Sequence, residues 1–119
     1  MQIFAIIPAR SGSKSIKNKN IRKIFGKPLL AHSIEIAKKS KLIQRVFVSS
    51  DSKKILNISN KYGAETILRP KKISKDNSID FDYLNHFVNK TKPKGKTLIV
   101  ILRPTAPIRN LKTVENAIK

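Results

Sequence analysis

The chain has 119 residues, 26 of them Lys or Arg against 7 Asp or Glu, a formal charge of +19 at pH 7, and no cysteine. That length supports one hydrophobic core and leaves no room for a second domain of ordinary size. Without cysteine there is no disulfide framework, thiolate zinc site or cysteine nucleophile, and His32 and His86 are too isolated for an all-histidine cluster, so any metal would be held by oxygen. No apolar run approaches the ~18 residues of a membrane span. The N-terminus lacks the basic region and long apolar stretch of a signal peptide, which makes a cytoplasmic location the expectation.

In chain order, Gln2 to Ile7 is a short apolar run ended by Pro8, as in a buried parallel strand, and a polar, basic loop follows from Ala9 to Asn20. Gly26, Lys27 and Pro28 punctuate the chain. Leu29, Leu30, Ile34, Ile36 and Ala37 then predict a helix reaching about Lys41, with Pro28 suited to its start. Arg45 to Ser50 reads as a second strand. Asp51 is placed to cap a helix that carries Ile55, Leu56 and Ile58 and stops at Tyr62-Gly63. Ala64 to Leu68 predicts a third strand broken by Arg69-Pro70, and Ile79, Tyr83, Leu84, Phe87 and Val88 the apolar face of a third helix. Thr97 to Leu102 predicts a fourth strand, followed by the loop Arg103 to Arg109 and a helix start near Leu111. This alternation predicts an α/β fold, a Rossmann-like parallel sheet with helices on both faces. Ligands of such sheets lie at the carboxyl ends of the strands, which makes Ala9 to Asn20, Ser49 to Ser52 and Arg103 to Asn110 the candidate site loops. The chain ends early in its fourth helix, and residues 1–119 are expected to be a single nucleotide-binding α/β domain that is the N-terminal part of a longer one.

The charge alone names no partner. Lysines such as Lys38-Lys39, Lys53-Lys54 and Lys71-Lys72 read as solvated helix faces. Aromatic residues are few, and Phe4, Phe47 and Phe87 fall at core positions, so the stacking platforms of a single-strand binder are not visible. His32 and His86 fall singly in helices and read as packing or surface residues. Asp80 and Asp82 lie two apart at a helix start and cannot share a face.

Neither Gly-x-Gly-x-x-Gly nor Gly-x-x-x-x-Gly-Lys-Ser/Thr occurs, which excludes the usual dinucleotide fingerprint and the P-loop. The loop after the first strand nevertheless has the chemistry of a triphosphate site. Gly12 lets backbone approach an anion, Ser11 and Ser13 offer hydroxyls and amides, and Arg10, Lys14 and Lys19 can neutralise phosphate oxygens as charge builds on a leaving pyrophosphate.

Ile6-Ile7-Pro8-Ala9-Arg10-Ser11-Gly12-Ser13-Lys14, Lys19-Asn20-Ile21 and Gly26-Lys27-Pro28-Leu29 resemble the opening of the acylneuraminate cytidylyltransferases, also called CMP-sialic acid synthetases. Val48-Ser49-Ser50-Asp51-Ser52, Lys61-Tyr62-Gly63-Ala64, Leu68-Arg69-Pro70, Asp76 and Arg103-Pro104-Thr105-Ala106-Pro107-Ile108-Arg109 keep the family's order, so the resemblance spans essentially the whole chain. It implies a nucleotidyltransferase that joins CTP to a nonulosonic acid with release of pyrophosphate and Mg²⁺ as cofactor. By resemblance, Ala9, Arg10, Ser11, Gly12, Ser13, Lys14, Lys19, Asn20, Arg69, Asp76 and Ser78 would bind the nucleotide, with Arg10 and Lys19 catalytic, and Arg103, Thr105 and Arg109 would face the acceptor sugar. Ser15 stands where the family usually has glycine. Arg103 replaces a common glutamine, which implies an acceptor with a different or additional anionic group, such as a legionaminic or pseudaminic type of acid. The family's metal-binding aspartates and dimerisation segment lie further along a longer chain, so the resemblance implies a homodimer for the full-length family, no metal ligand within these residues, and impaired activity if the chain ends at Lys119. The alternative reading is a non-catalytic fragment binding nucleotide or nucleic acid through its lysine-rich surface.

Overall fold

The computed structural model describes residues 2–9, 23–24, 26–70 and 80–102. Gln2–Pro8 form β1, whose unbroken apolar run Ile3 to Ile7 has no polar face to turn toward water and is buried throughout. A two-residue antiparallel ribbon follows, Lys23–Ile24 (β2) with Lys27–Pro28 (β3), and Gly26 at its turn has φ +79°, a left-handed backbone that glycine adopts without steric cost. The sequence offered no run long enough to reveal this ribbon.

Helix α1, Leu29–Lys39, buries Leu29, Leu30, Ala31, Ser33, Ile34 and Ala37. It ends before the expected Lys41 because Ser40 turns to an extended backbone and its hydroxyl accepts the Leu42 N–H at 3.1 Å. Arg45–Ser50 form β4, Lys53–Lys61 α2 and Glu65–Leu68 β5, close to the bounds that the sequence pattern indicates. Gly63, at φ +92°, carries the chain out of α2, with its N–H donating to the Asn60 carbonyl. Asp80–Thr91 form α3 and Thr97–Ile101 form β6.

The main sheet is wholly parallel, in the order β5-β4-β1-β6. Alternate side chains divide the core between its faces. Ile3, Ala5, Ile7, Val46 and Val48 pack with Leu30, Ile34 and Ala37 of α1 and Ile55 and Leu56 of α2. On the other face Phe4, Ile6, Phe47 and Ile67 pack with Phe87 of α3. The expected parallel sheet with helices on both faces is therefore the fold this chain adopts.

One sequence reading of α3 needs correction. Phe87 is fully buried and Leu84 packs beside its cluster, but Val88, placed above on the same apolar face, is 41% exposed. It follows Phe87 by about 100° around the helix, which turns it away from the sheet. Ile79 and the side chain of Tyr83 lie outside the described residues.

The ring of Phe47 meets Phe87 edge-on at 5.0 Å and lies 5.6 Å from Phe4. Phe87→Ala is expected to lower unfolding free energy by about 3–5 kcal/mol in urea denaturation, and Phe87→Leu by under about 1.5 kcal/mol. Equal losses in the two variants would show that the contact is not one of packing.

Candidate active site at the carboxyl edge of the sheet

Strand order determines where a ligand can enter. From β1 the chain crosses to β4 on one side, and later returns to place β6 on the other. The switch point therefore falls between β1 and β6, and parallel α/β sheets take ligands at the carboxyl ends of the strands there.

Three backbone hydrogen bonds prolong the ladder past the strand ends and fix where the loops depart. Ala9 N–H donates to the Ser49 carbonyl at 2.9 Å, Arg69 N–H to the Ser50 carbonyl at 2.9 Å, and Leu102 N–H to the Ile6 carbonyl at 3.0 Å. The segments that begin at Arg10, Pro70 and Arg103 thus leave the same edge of the sheet. These are the segments in which sequence reading concentrates phosphate and sugar chemistry.

Of the predicted site residues, the structure describes Ala9 and Arg69. Ala9 is fully buried in the α1-side core and its N–H is held by Ser49, so its side chain serves packing. Arg69 is only 5% exposed, an uncommon state for a guanidinium, and sits one residue past β5. Arg10, Ser11, Gly12, Ser13, Lys14, Lys19, Asn20, Asp76, Ser78, Arg103, Thr105 and Arg109 lie outside the described residues.

The β4 edge is a serine-rich corner. Ser50 Oγ accepts the Ser52 N–H at 3.1 Å, and Ser52 Oγ accepts the Ile55 N–H at 3.3 Å. Ser52, rather than Asp51, is therefore the N-cap of α2. A serine immediately before the first helical residue, with its oxygen three residues from the N–H it serves, is a signal present in the sequence.

Two further groups have buried polar atoms that spacing along the chain does not reveal. Ser49 is fully buried, and its hydroxyl has no hydrogen-bond partner. His86, on α3, is held below the ordinary imidazole pKa, first by burial and then by the positive charges of Lys90 and Arg69. Its Nδ1 is buried without a hydrogen-bond partner. Burial disfavours the charged ring. Among the described residues no three His, Asp or Glu side chains converge to hold a metal ion, and no step is assigned to one.

At the opposite, amino edge the electrostatics are structural. Arg45 Nε donates to Glu65 Oε2 at 2.7 Å while its guanidinium carbon lies 4.8 Å from the Phe47 ring centre and 5.3 Å from that of Phe4. The pair lowers the Glu65 pKa and raises that of Arg45 through their hydrogen bonds. Both side chains are nearly half exposed, so solvent screening keeps the ion pair to a small share of stability.

A parallel α/β sheet with its switch point between β1 and β6 is an architecture that takes ligands at the carboxyl ends of its strands. The cytidylyltransferase family profile matches residues 4–118, and the chain belongs to that family. It is 37% identical over 118 residues to an N-acylneuraminate cytidylyltransferase of Escherichia coli, covering 99% of this chain and 28% of that protein. It is 36% identical over 125 residues to the CMP-N,N'-diacetyllegionaminic acid synthase of Legionella pneumophila, covering 100% of this chain and 53% of the relative. A solved CMP:2-keto-3-deoxy-manno-octonic acid synthetase complexed with CTP shares the fold with a TM-score of 0.85 at 23% identity, over 99% of this chain and 46% of that one. The chain thus spans about half or less of these proteins' lengths.

The titration of His86 has a definite sign. An imidazole with a lower pKa folded than unfolded takes up a proton more readily when unfolded. Its contribution to stability is present at high pH and declines as pH falls through the ordinary ~6.5 toward the folded value. NMR titration is expected to give His86 a midpoint below ~6.5, and His86→Gln to flatten the acid side of the stability profile; a midpoint at or above the ordinary value would contradict the burial. Ser52→Ala is expected to cost about 1 kcal/mol in denaturant unfolding, with Asp51→Ala smaller; the reverse order would return the cap to Asp51.

Proposed function

We propose that the protein acts in the transfer of CMP from CTP to a nonulosonic acid, with release of pyrophosphate. The observation that carries this reading is the common departure of the Arg10, Pro70 and Arg103 segments from the switch-point edge of a cytidylyltransferase-family chain. In the reaction the anomeric hydroxyl of the sugar acid attacks the α-phosphorus, an oxygen–phosphorus bond forms, and the bond to the bridging oxygen of the β-phosphate breaks.

The chain's own part in that reaction is positioning and charge. Arg10, Lys14 and Lys19 hold the phosphates and offset charge growing on the departing pyrophosphate, with the hydroxyls and amides of Ser11 to Ser13 around them. Asn20, Asp76 and Ser78 lie against the nucleoside. Arg69 enters from the β5 side, where its burial keeps the guanidinium in a restricted position. Arg103, Thr105 and Arg109 face the acceptor. No covalent nucleophile is needed, because nucleotidyl transfer depends mainly on alignment and electrostatic stabilisation. Mg²⁺, when bound, would supply further neutralisation of the phosphates.

The acceptor class follows from what the relatives are named for, an N-acylneuraminate and an N,N'-diacetyllegionaminic acid, and from Arg103. A cation there suits a sugar acid carrying an anionic group on that side. The site reading extends to the remaining length of the full-size relatives, which would complete the acceptor pocket and a homodimer in the cytoplasm.

Titration of the chain with nucleotides is expected to show CTP binding preferred over ATP, and incubation of a version extended to the length of the relatives with CTP, Mg²⁺ and a panel of nonulosonic acids to release pyrophosphate. Absence of both CTP preference and turnover would overturn the reading. Lys19→Ala is expected to lower turnover by roughly 10²–10³-fold with an unchanged circular dichroism spectrum, since Lys19 acts on charge rather than packing; unchanged kinetics would remove it from the site.

A further inference from the structure

The candidate phosphate segment, Arg10 to Asn20, joins two parts of the described structure that are fixed by different means. Upstream, the sheet itself sets its start, because the Ala9 N–H donates to the Ser49 carbonyl. Downstream, the chain enters the β2·β3 ribbon at Lys23. Only Ile21 and Arg22 separate Asn20 from that residue, a span of at most ~11 Å. The ribbon therefore sets where Lys19 and Asn20 can stand.

A ribbon this short cannot hold itself. Hydrogen-bonded and non-hydrogen-bonded pairs alternate in an antiparallel ladder and Pro28 has no N–H, so Ile24 and Lys27 are the pair that exchanges both backbone hydrogen bonds. Two strands of that length are marginal at best in water. No helix cap fastens them either, since Pro28 stands at the N-cap of α1 and its side chain makes no capping hydrogen bond.

Lys27 reaches from the ribbon to the helix, its Nζ donating to Glu35 Oε2 at 2.6 Å. Helix spacing offers Glu35 a partner of its own in Lys39, four residues on and in the favourable order. The carboxylate takes the ribbon lysine instead. With 43% and 31% of the two side chains exposed, the pair adds little to global stability. Local opening of a two-residue ribbon costs so little free energy that the same increment governs how often it opens.

We propose that the Lys27–Glu35 ion pair clasps the β2·β3 ribbon to α1 and thereby positions Lys19 and Asn20 for the nucleotide. Lys27 and Glu35 are positioning residues in this account, which rests on the CMP-transfer reading for the nucleotide and on the ribbon geometry for the clasp. The pair acts on binding of CTP and not on the core.

The test reads the Ile24 amide by NMR exchange, CTP affinity by titration, and the urea midpoint, all in the 119-residue chain. Lys27→Met keeps the apolar stem and Glu35→Gln the shape, while each removes the ion pair. Each is expected to speed Ile24 exchange about two- to fivefold and to weaken CTP binding by a similar factor, with the urea midpoint unchanged. The double variant should be no worse than either single one, and Lys27→Glu combined with Glu35→Lys should restore both readouts. Salt at ~1 M should speed Ile24 exchange in the unaltered chain and not in Lys27→Met. A lysine that touched phosphate directly would give the opposite result at its partner: CTP binding unchanged or tighter in Glu35→Gln overturns the proposal. Unchanged Ile24 exchange in the two single variants does so as well. That exchange is read without nucleotide, so a chain lacking CTP preference overturns the CMP-transfer reading while the clasp is still decided.

Discussion

The parallel ladder on both sides of β1 is the constraint from which the rest of the molecule follows. Five consecutive apolar residues, Ile3 to Ile7, cannot present a face to water, and their backbone groups need partners on both edges once buried. β4 takes one edge and β6 the other. With the strands parallel, each connection must cross a face, which puts α1 and α2 on one side and α3 on the other. The same pairing brings the carboxyl ends of the four parallel strands to one edge and puts the switch point between β1 and β6.

Function and stability are correspondingly divided between the two edges. At the amino edge Arg45 lies over two phenylalanine rings and holds Glu65, an arrangement that closes off β5. The carboxyl edge holds Ser49, whose hydroxyl has no partner among the described residues, the serine relay that starts α2, and the buried Arg69.

Much of the fold was legible in the residues because the strands are strongly apolar and the breaks chemically explicit. β4, α2, β5 and β6 follow the pattern of Arg45 to Ser50, Ile55-Leu56, Gly63 and Thr97 to Leu102 within a residue or two. The errors arose where a local competition decided the outcome. Ser52 against Asp51 as a cap is settled by which oxygen reaches the Ile55 N–H, and Val88 by the small rotation that separates it from Phe87.

Sequence by itself determined the alternation of elements, the parallel sheet and the family, since these rest on periodicity, turn chemistry and the order of short motifs along the chain. Its resemblance to the family also names the Arg10 to Asn20 segment and Arg69 as candidate site residues, and of these the structure describes Arg69. Only the tertiary structure decided that Arg69 is buried, that the Ser49 hydroxyl has no partner among the described residues, and that β6 pairs there with β1 alone. Those properties depend on which distant segments share a face, and spacing along one chain does not encode that.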